Sequence, residues 1–237
     1  MTNLTEAAVI VVAAGRGTRM GTRESKQYLQ LDGKPIIVHT LEVFNRLPFI
    51  REIILVTGAQ DRSRCQEWVR DYNLDKVNQV IEGGKERQDS VLQGLRATTL
   101  PWILIHDGVR PFVTETHIQA CLDAAQESGA SVLAVPVKDT VKQVGNQGYV
   151  TATPDRRSLW AIQTPQAFRH EDLLRAHEQA EKDGFMGTDD SMLIERIGIK
   201  VKVVEGSYGN IKLTTPEDLD YAQFIRTKAA KTGEDRA

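Results

Sequence analysis

A chain of 237 residues is long enough for one large α/β domain, or two small ones, with ample core. Its residues are 41% hydrophobic and 26% charged, the composition of a soluble globular protein. The formal net charge of −2 excludes a general nucleic-acid or membrane-surface binder, so any anion site must be a local patch.

Residues 7–14 (AAVIVVAA) form a continuous apolar run and read as a fully buried strand. No basic segment precedes the run, and it is too short to cross a bilayer, so neither a signal peptide nor a membrane span is expected there. The runs 50–58 (IREIILVTG), 100–108 (LPWILIHDG), 130–137 (ASVLAVPV) and 200–206 (KVKVVEG) read the same way. Between and after them, helical patterns cover 35–47, 62–73, 88–98, 114–129 and 170–184. A closing helix follows over 216–230, with Thr215 as N-cap and Pro216 as first helical residue. Such alternation predicts a three-layer α/β sandwich on a mostly parallel twisted sheet with right-handed crossovers. No repeat or linker divides residues 1–237, so a single domain is expected.

One stretch breaks the pattern. Residues 137–144, GNQG and 149–156 read as a hairpin whose side chains alternate polar and apolar. It is expected to project as an arm, spanning 137–160. Two strands are marginal alone, so the arm is expected to pack on a second subunit. An extra edge hairpin on the main sheet is the other reading.

Cys65 and Cys121 form no CxxC motif, and the five histidines show no metal spacing. A reducing cytoplasm is the default compartment.

The chemistry concentrates in five places. In VVAAGRGTRMGTRESKQYL (11–29), a buried strand runs into a glycine turn followed by Arg16, Arg19, Arg23 and Lys26. The dinucleotide fingerprint fails, because Met20 stands where its third glycine belongs and no acid ends the second strand. The P-loop spacing fails too. What remains is a glycine turn backed by cations, a pattern suited to phosphoryl charge. Asp107, at the carboxyl end of a strand in ILIHDGVRPF, is placed to meet Mg²⁺ carried by phosphates, with Arg110 in reach of the same anions. A simple Asp-Gly turn is the alternative there. EGGKERQDSVLQGL (82–95) brings a Gly83-Gly84 backbone close to a ligand, with Asp89 or Ser90 as helix cap. YGNIKLTTPEDL (208–219) carries Lys212, and PDRRSLWAIQTPQAF (154–168) follows the arm. His106 reads as structural.

Together with VPVKDT and GTDDSML, these stretches resemble the 2-C-methyl-D-erythritol 4-phosphate cytidylyltransferases, in order and over nearly the whole chain. The resemblance implies a nucleotidyltransferase (Rossmann-like) α/β fold, a homodimer built by the β-arm, and Mg²⁺-dependent transfer of a cytidylyl group from CTP to a polyol phosphate. By motif, Arg19 and Lys26 match the pair around the α-phosphate. Ala13, Ala14 and Gly15 match the start of the nucleotide loop, and Gly84, Lys85 and Ser90 the segment reading cytosine and ribose. Asp107 matches the Mg²⁺ carboxylate. Arg156 and Lys212 match residues that position the acceptor phosphate; Thr140 and Thr164 match acceptor-side contacts. Arg156 belongs to the arm and would serve the partner subunit's site. Some members carry an acid where this chain has Gly209, which leaves Asp107 to hold the metal with CTP oxygens and water. The sister enzymes acting on ribitol 5-phosphate are the nearest alternative, although the Ala13–Gly15 loop and Ser158-Leu159-Trp160 fit them less well. A nucleotide-binding module without turnover would not need Arg19, Lys26, Asp107 and Lys212 together.

Overall fold

A computed structural model describes residues 6–15 and 24–232 of the chain. Arg16, Arg19 and Arg23 lie outside the described residues. A seven-stranded sheet forms the centre, in the order β11-β7-β10-β6-β1-β4-β5. These strands are β1 (Ala7–Ala13), β4 (Ile50–Thr57), β5 (Val77–Glu82), β6 (Trp102–Asp107), β7 (Ala130–Pro136), β10 (Trp160–Arg169) and β11 (Lys202–Glu205). Of them, β10 alone is antiparallel, lying between β6 and β7. The other pairings, β1 with β4 and β6, β4 with β5, and β11 with β7, are parallel.

Side-chain alternation divides the core into two layers. Val9, Val11, Ile53, Leu55 and Leu104 point to one face. There they meet α1 (Ile36–Asn45), α2 (Arg62–Asp71) and α4 (Glu115–Ser128). Ala8, Ile10, Ile54, Val56, Ile103 and Ile105 point to the other, against α3 (Arg87–Arg96), α5 (His170–Asp183) and α6 (Asp190–Arg196). Because the inner strands β1, β4, β6 and β7 are covered on both faces, each reads as an apolar run rather than an alternation, whereas β11, expected over 200–206 to be fully buried, is a largely exposed edge strand. A smaller cluster of Leu31, Ile36, Val109, Leu213 and Ala222 seats α7 (Pro216–Thr232) over the end of β6. A short β-ladder, β2 (Gln30–Leu31) with β3 (Lys34–Pro35), leads into α1.

The expected hairpin is present but its paired core is short: β8 (Gln143–Val144) with β9 (Val150–Ala152). It forms a separate two-stranded sheet, and its Val144, Tyr149 and Val150 are exposed. The edge-hairpin alternative therefore does not hold. No described helix is long and apolar enough to cross a membrane.

Candidate active site

The sheet order reverses its direction of growth at β1. The chain continues from β1 to β4 and β5 on one side, while β6 lies on the other. In open α/β sheets a crevice forms at such a point, beyond the carboxyl ends of the strands. Here it is a solvent-open cleft of about 610 Å³. It is lined by Ala13, Ala14 and Gly15 of the glycine turn, by Lys26 and Gln27, by Gly84, Lys85, Arg87 and Ser90, and by Asp107 and Lys212.

The glycine turn is held from behind. The Gln27 amide donates to the carbonyls of Ala13 (2.7 Å) and Gly15 (2.9 Å), satisfying backbone groups that leave the sheet. Gln27 sits in a single 3₁₀ turn, Lys26–Tyr28, so the same turn that closes the loop carries Lys26 into the cleft. The Tyr28 hydroxyl bonds Thr57 Oγ1 at 2.5 Å, tying this turn to the end of β4.

The opposite loop is equally braced. Ser90 Oγ accepts from Gly84 N (3.2 Å) and donates to the Glu86 carbonyl (3.0 Å). Asp89 accepts from Glu86 N at 3.0 Å at the start of α3. The N-cap is Glu86 rather than either expected residue: Asp89, in the first turn of α3, closes a capping box with it, and Ser90 fastens the Gly84 loop to the helix.

Asp107 ends β6 with its side chain buried among three cations. Lys212 Nζ is 2.7 Å from Oδ2, Arg87 Nε 3.5 Å from Oδ1, and Arg110 Nε 3.8 Å from Oδ2. Burial by itself would raise its pKa. The charges of Arg87, then Lys212 and Arg110, overcome that and hold the carboxyl well below the usual range. Its backbone is fixed by a relay. Asp107 N–H donates to Thr164 Oγ1 (3.0 Å), Thr164 bonds His106 Nδ1 (3.1 Å), and His106 Nε2 lies 3.1 Å from the Arg110 carbonyl. A carbonyl only accepts, so Nε2 carries the proton and Nδ1 accepts from Thr164. Burial holds the His106 pKa down at about 4, so the neutral tautomer that the relay needs is the one present. His106 is structural, as the sequence suggests, and Thr164 acts on Asp107 through the backbone.

Arg110 is buried and donates to the Asn210 carbonyl (2.7 Å), pinning the segment that carries Lys212. Arg110, Thr164, Asp107 and Lys212 also line a pocket adjoining the cleft. Thr140 and Arg156 are not brought into either cavity of their own chain; both are exposed on or beside the arm. Arg156 there donates to the Lys138 carbonyl at 2.6 Å.

Sequence reasoning missed Arg87. It opens α3 within EGGKERQDSV and reads as an ordinary surface charge in a first helical turn. Its guanidinium instead bridges Asp107 and the buried Asp190, with Nη1 2.7 Å from Asp190 Oδ2. The pairing of two distant motifs, KER and GTDD, was the missing signal.

Comparison with known proteins identifies the family. The profile of the family described as IspD, 2-C-methyl-D-erythritol 4-phosphate cytidylyltransferase, matches residues 7–228. A relative of that name from Geobacillus kaustophilus is 50% identical over 217 residues, covering 91% of this chain and 95% of that one. Another, from Alkaliphilus metalliredigens, is 49% identical over 220 residues, 92% of this chain and 91% of its own. Among solved structures, the 4-diphosphocytidyl-2C-methyl-D-erythritol synthase of Anaerococcus prevotii superposes with a TM-score of 0.84 at 33% identity. The match covers 95% of this chain and 100% of that one. With its sequence and its fold of one kind, the chain belongs to the 2-C-methyl-D-erythritol 4-phosphate cytidylyltransferase family.

Proposed function

We propose that this enzyme transfers the cytidylyl group of CTP to 2-C-methyl-D-erythritol 4-phosphate, releasing pyrophosphate, as a step in making isoprenoid precursors. An oxygen of the acceptor phosphate attacks the α-phosphorus of CTP. A new phosphoanhydride P–O bond forms as the bond to pyrophosphate breaks. The acceptor is already anionic at neutral pH, so no residue need remove a proton. Catalysis is then positioning plus charge stabilisation.

The observation that carries this reading is the cleft itself, where a glycine turn braced by Gln27 faces Lys26, Lys212, Arg87 and Asp107. The backbone of Ala13, Ala14 and Gly15 binds the triphosphate, and Lys26, with Arg19, stabilises charge gathering on the α-phosphate. Gly84, Lys85 and the Ser90-fastened loop shape the base and ribose side. Lys212, Arg110 and Thr164 define the acceptor side. Arg156 and Thr140 complete it from the arm of a second subunit, so each site of a homodimer is built by two chains. A cytoplasmic location fits these soluble substrates.

The donor set suits Mg²⁺ only in part. No group of three metal-ligating side chains occurs among the described residues, so the protein offers no cage of its own. Asp107 supplies one carboxylate, and Lys212 Nζ already sits as a cation on its Oδ2. That arrangement fits an ion brought mainly by phosphate oxygens, with Asp107 as its protein ligand. Bound there, Mg²⁺ would neutralise phosphoryl charge.

Turnover measured with each nucleotide and each polyol phosphate tests the assignment. CTP with methylerythritol phosphate should far exceed ATP or GTP, and should exceed CTP with ribitol 5-phosphate. Equal rates with ATP, or a preference for ribitol phosphate, would reject it.

A further inference from the structure

The GTDDSML stretch holds two adjacent carboxylates with different tasks. Asp189 caps α6, accepting from Met192 N at 2.9 Å, and also receives the Gln166 amide at 2.9 Å. Asp190 turns inward and is 1% exposed. A carboxylate so buried persists only when paired and hydrogen-bonded. Its Oδ2 accepts from Arg87 Nη1 (2.7 Å), and its Oδ1 lies 3.1 Å from His177 Nε2. An ionised carboxylate only accepts, so the His177 proton sits on Nε2. His177 Nδ1 has no hydrogen-bond partner among the described residues. Among the described residues, the side chain of His177, fully buried on α5, therefore makes one directed polar contact, to Asp190.

A well-packed apolar cluster would join α3, α5 and α6 at least as stably as this triad. What apolar side chains would not supply is a fixed guanidinium. Arg87 lines the cleft and the adjoining pocket. Asp190 takes one arm of its fork at 2.7 Å, which leaves Nε directed at Asp107 from 3.5 Å. Without Asp190, Asp107 would be the remaining buried anion in reach, and the guanidinium would turn onto it.

We propose that Asp190, oriented by His177, is a positioning residue for nucleotide binding: it holds Arg87 in the cleft with one edge turned to Asp107 and to the polyphosphate. This rests on the cytidylyl-transfer reading. Asp190 touches no substrate and acts through Arg87 alone.

A double-mutant cycle tests this. CTP affinity by calorimetry and kcat/KM for CTP are measured for wild type, Asp190→Asn, Arg87→Met and the double variant, with near-UV circular dichroism and melting to check folding. Each single change should weaken CTP binding about tenfold or more. The double variant should be no worse than Arg87→Met alone, because residues acting through one contact are not additive. Losses that multiply would overturn the proposal, since Asp190 would then act independently of Arg87. Arg87→Lys keeps the charge and loses the fork, so wild-type affinity in that variant would also overturn it. If Asp190→Asn does not fold, His177→Leu leaves Asp190 charged and in reach of Arg87 but without the imidazole that orients it. That change should weaken CTP binding when Arg87 is present and have no effect when it is Met; equal effects in both backgrounds would overturn the proposal. Absence of wild-type turnover would count against the cytidylyl-transfer reading, while the calorimetric cycle would still decide the coupling.

Discussion

Asp107 shows how one residue sets the character of the cleft. Three cations hold it ionised despite burial, and Thr164 and His106 hold its backbone. The cations left around it face the place where a triphosphate would lie. Lys26 differs from them in being carried by the short 3₁₀ turn behind the glycine loop, whereas Arg87 opens α3 and Arg110 and Lys212 lie in connecting segments. Its charge is proposed to act mainly on the transition state. Lys26→Ala should therefore lower kcat on the order of a hundredfold while leaving CTP affinity much less changed. Steady-state kinetics with a separate binding measurement decide this; unchanged kcat with a raised KM would mark Lys26 as a simple binding residue. His106 gives a second prediction. Its folded pKa, about 4, lies below its unfolded value near 6.5, so the unfolded chain binds more protons between those pH values. Stability should fall as pH drops from about 6.5 to about 4, by on the order of 3 kcal/mol from this residue. His39, also lowered by burial, adds to the slope. Below about pH 4, Asp107 and Asp190 add their own loss, because their depressed pKa values stabilise the fold only while they are ionised. Urea melts of wild type and His106→Gln across this range should show a shallower slope in the variant. Identical slopes would contradict the account.

At the scale of elements, the loop between β5 and α3 is built by close approach. A Cβ on Gly83 would come 2.6 Å from both Ala14 Cβ and Ser90 Oγ, so the two walls of the cleft touch across a glycine. Gly83→Ala should push the loops apart. Overpacking of this kind costs about 1–3 kcal/mol; taken up by the loop, it should raise the Kd for CTP about ten- to a hundredfold. Isothermal titration checks it, and an unchanged Kd would mean the loop does not read the nucleotide. The elements that were legible in the sequence, and those that were not, divide by burial and length. Doubly covered strands such as β1 and β6 announce themselves as apolar runs, and α1 to α5 by their periodicity. β5 was missed because its VNQVIE alternates as an edge strand does. β10 was missed because Gln163, Thr164 and Gln166 interrupt its apolar pattern. Those polar groups are buried, but partners from other segments satisfy them: Ser207, Asp107, His106 and Asp189. The seven residues of α6 are too few to show a period. At the site, the loop residues and Asp107 were visible because glycines and a strand-end carboxylate are local signals. Arg87–Asp190 was not, because the two residues are 103 positions apart.

The whole molecule poses the question of what the exposed arm is for. Among the described residues of one chain, β8 and β9 pair only with each other, and Val144, Tyr149 and Val150 are exposed. Arg156 and Thr140 stand with them, away from the cleft whose chemistry their motifs suggest. These facts agree if two chains share each site, the cleft from one and the arm from the other. Subunit exchange tests that directly. Two variants, Arg156→Ala and Lys26→Ala, should each be nearly inactive as homodimers. In a mixed dimer, one site collects both defects, and the other has an intact cleft and an intact arm. Random mixing at equal amounts gives about half heterodimers, so activity should return to roughly a quarter of wild type per total site. If mass measurement shows that subunits have exchanged and no activity returns, Arg156 acts within its own chain and the shared site is contradicted.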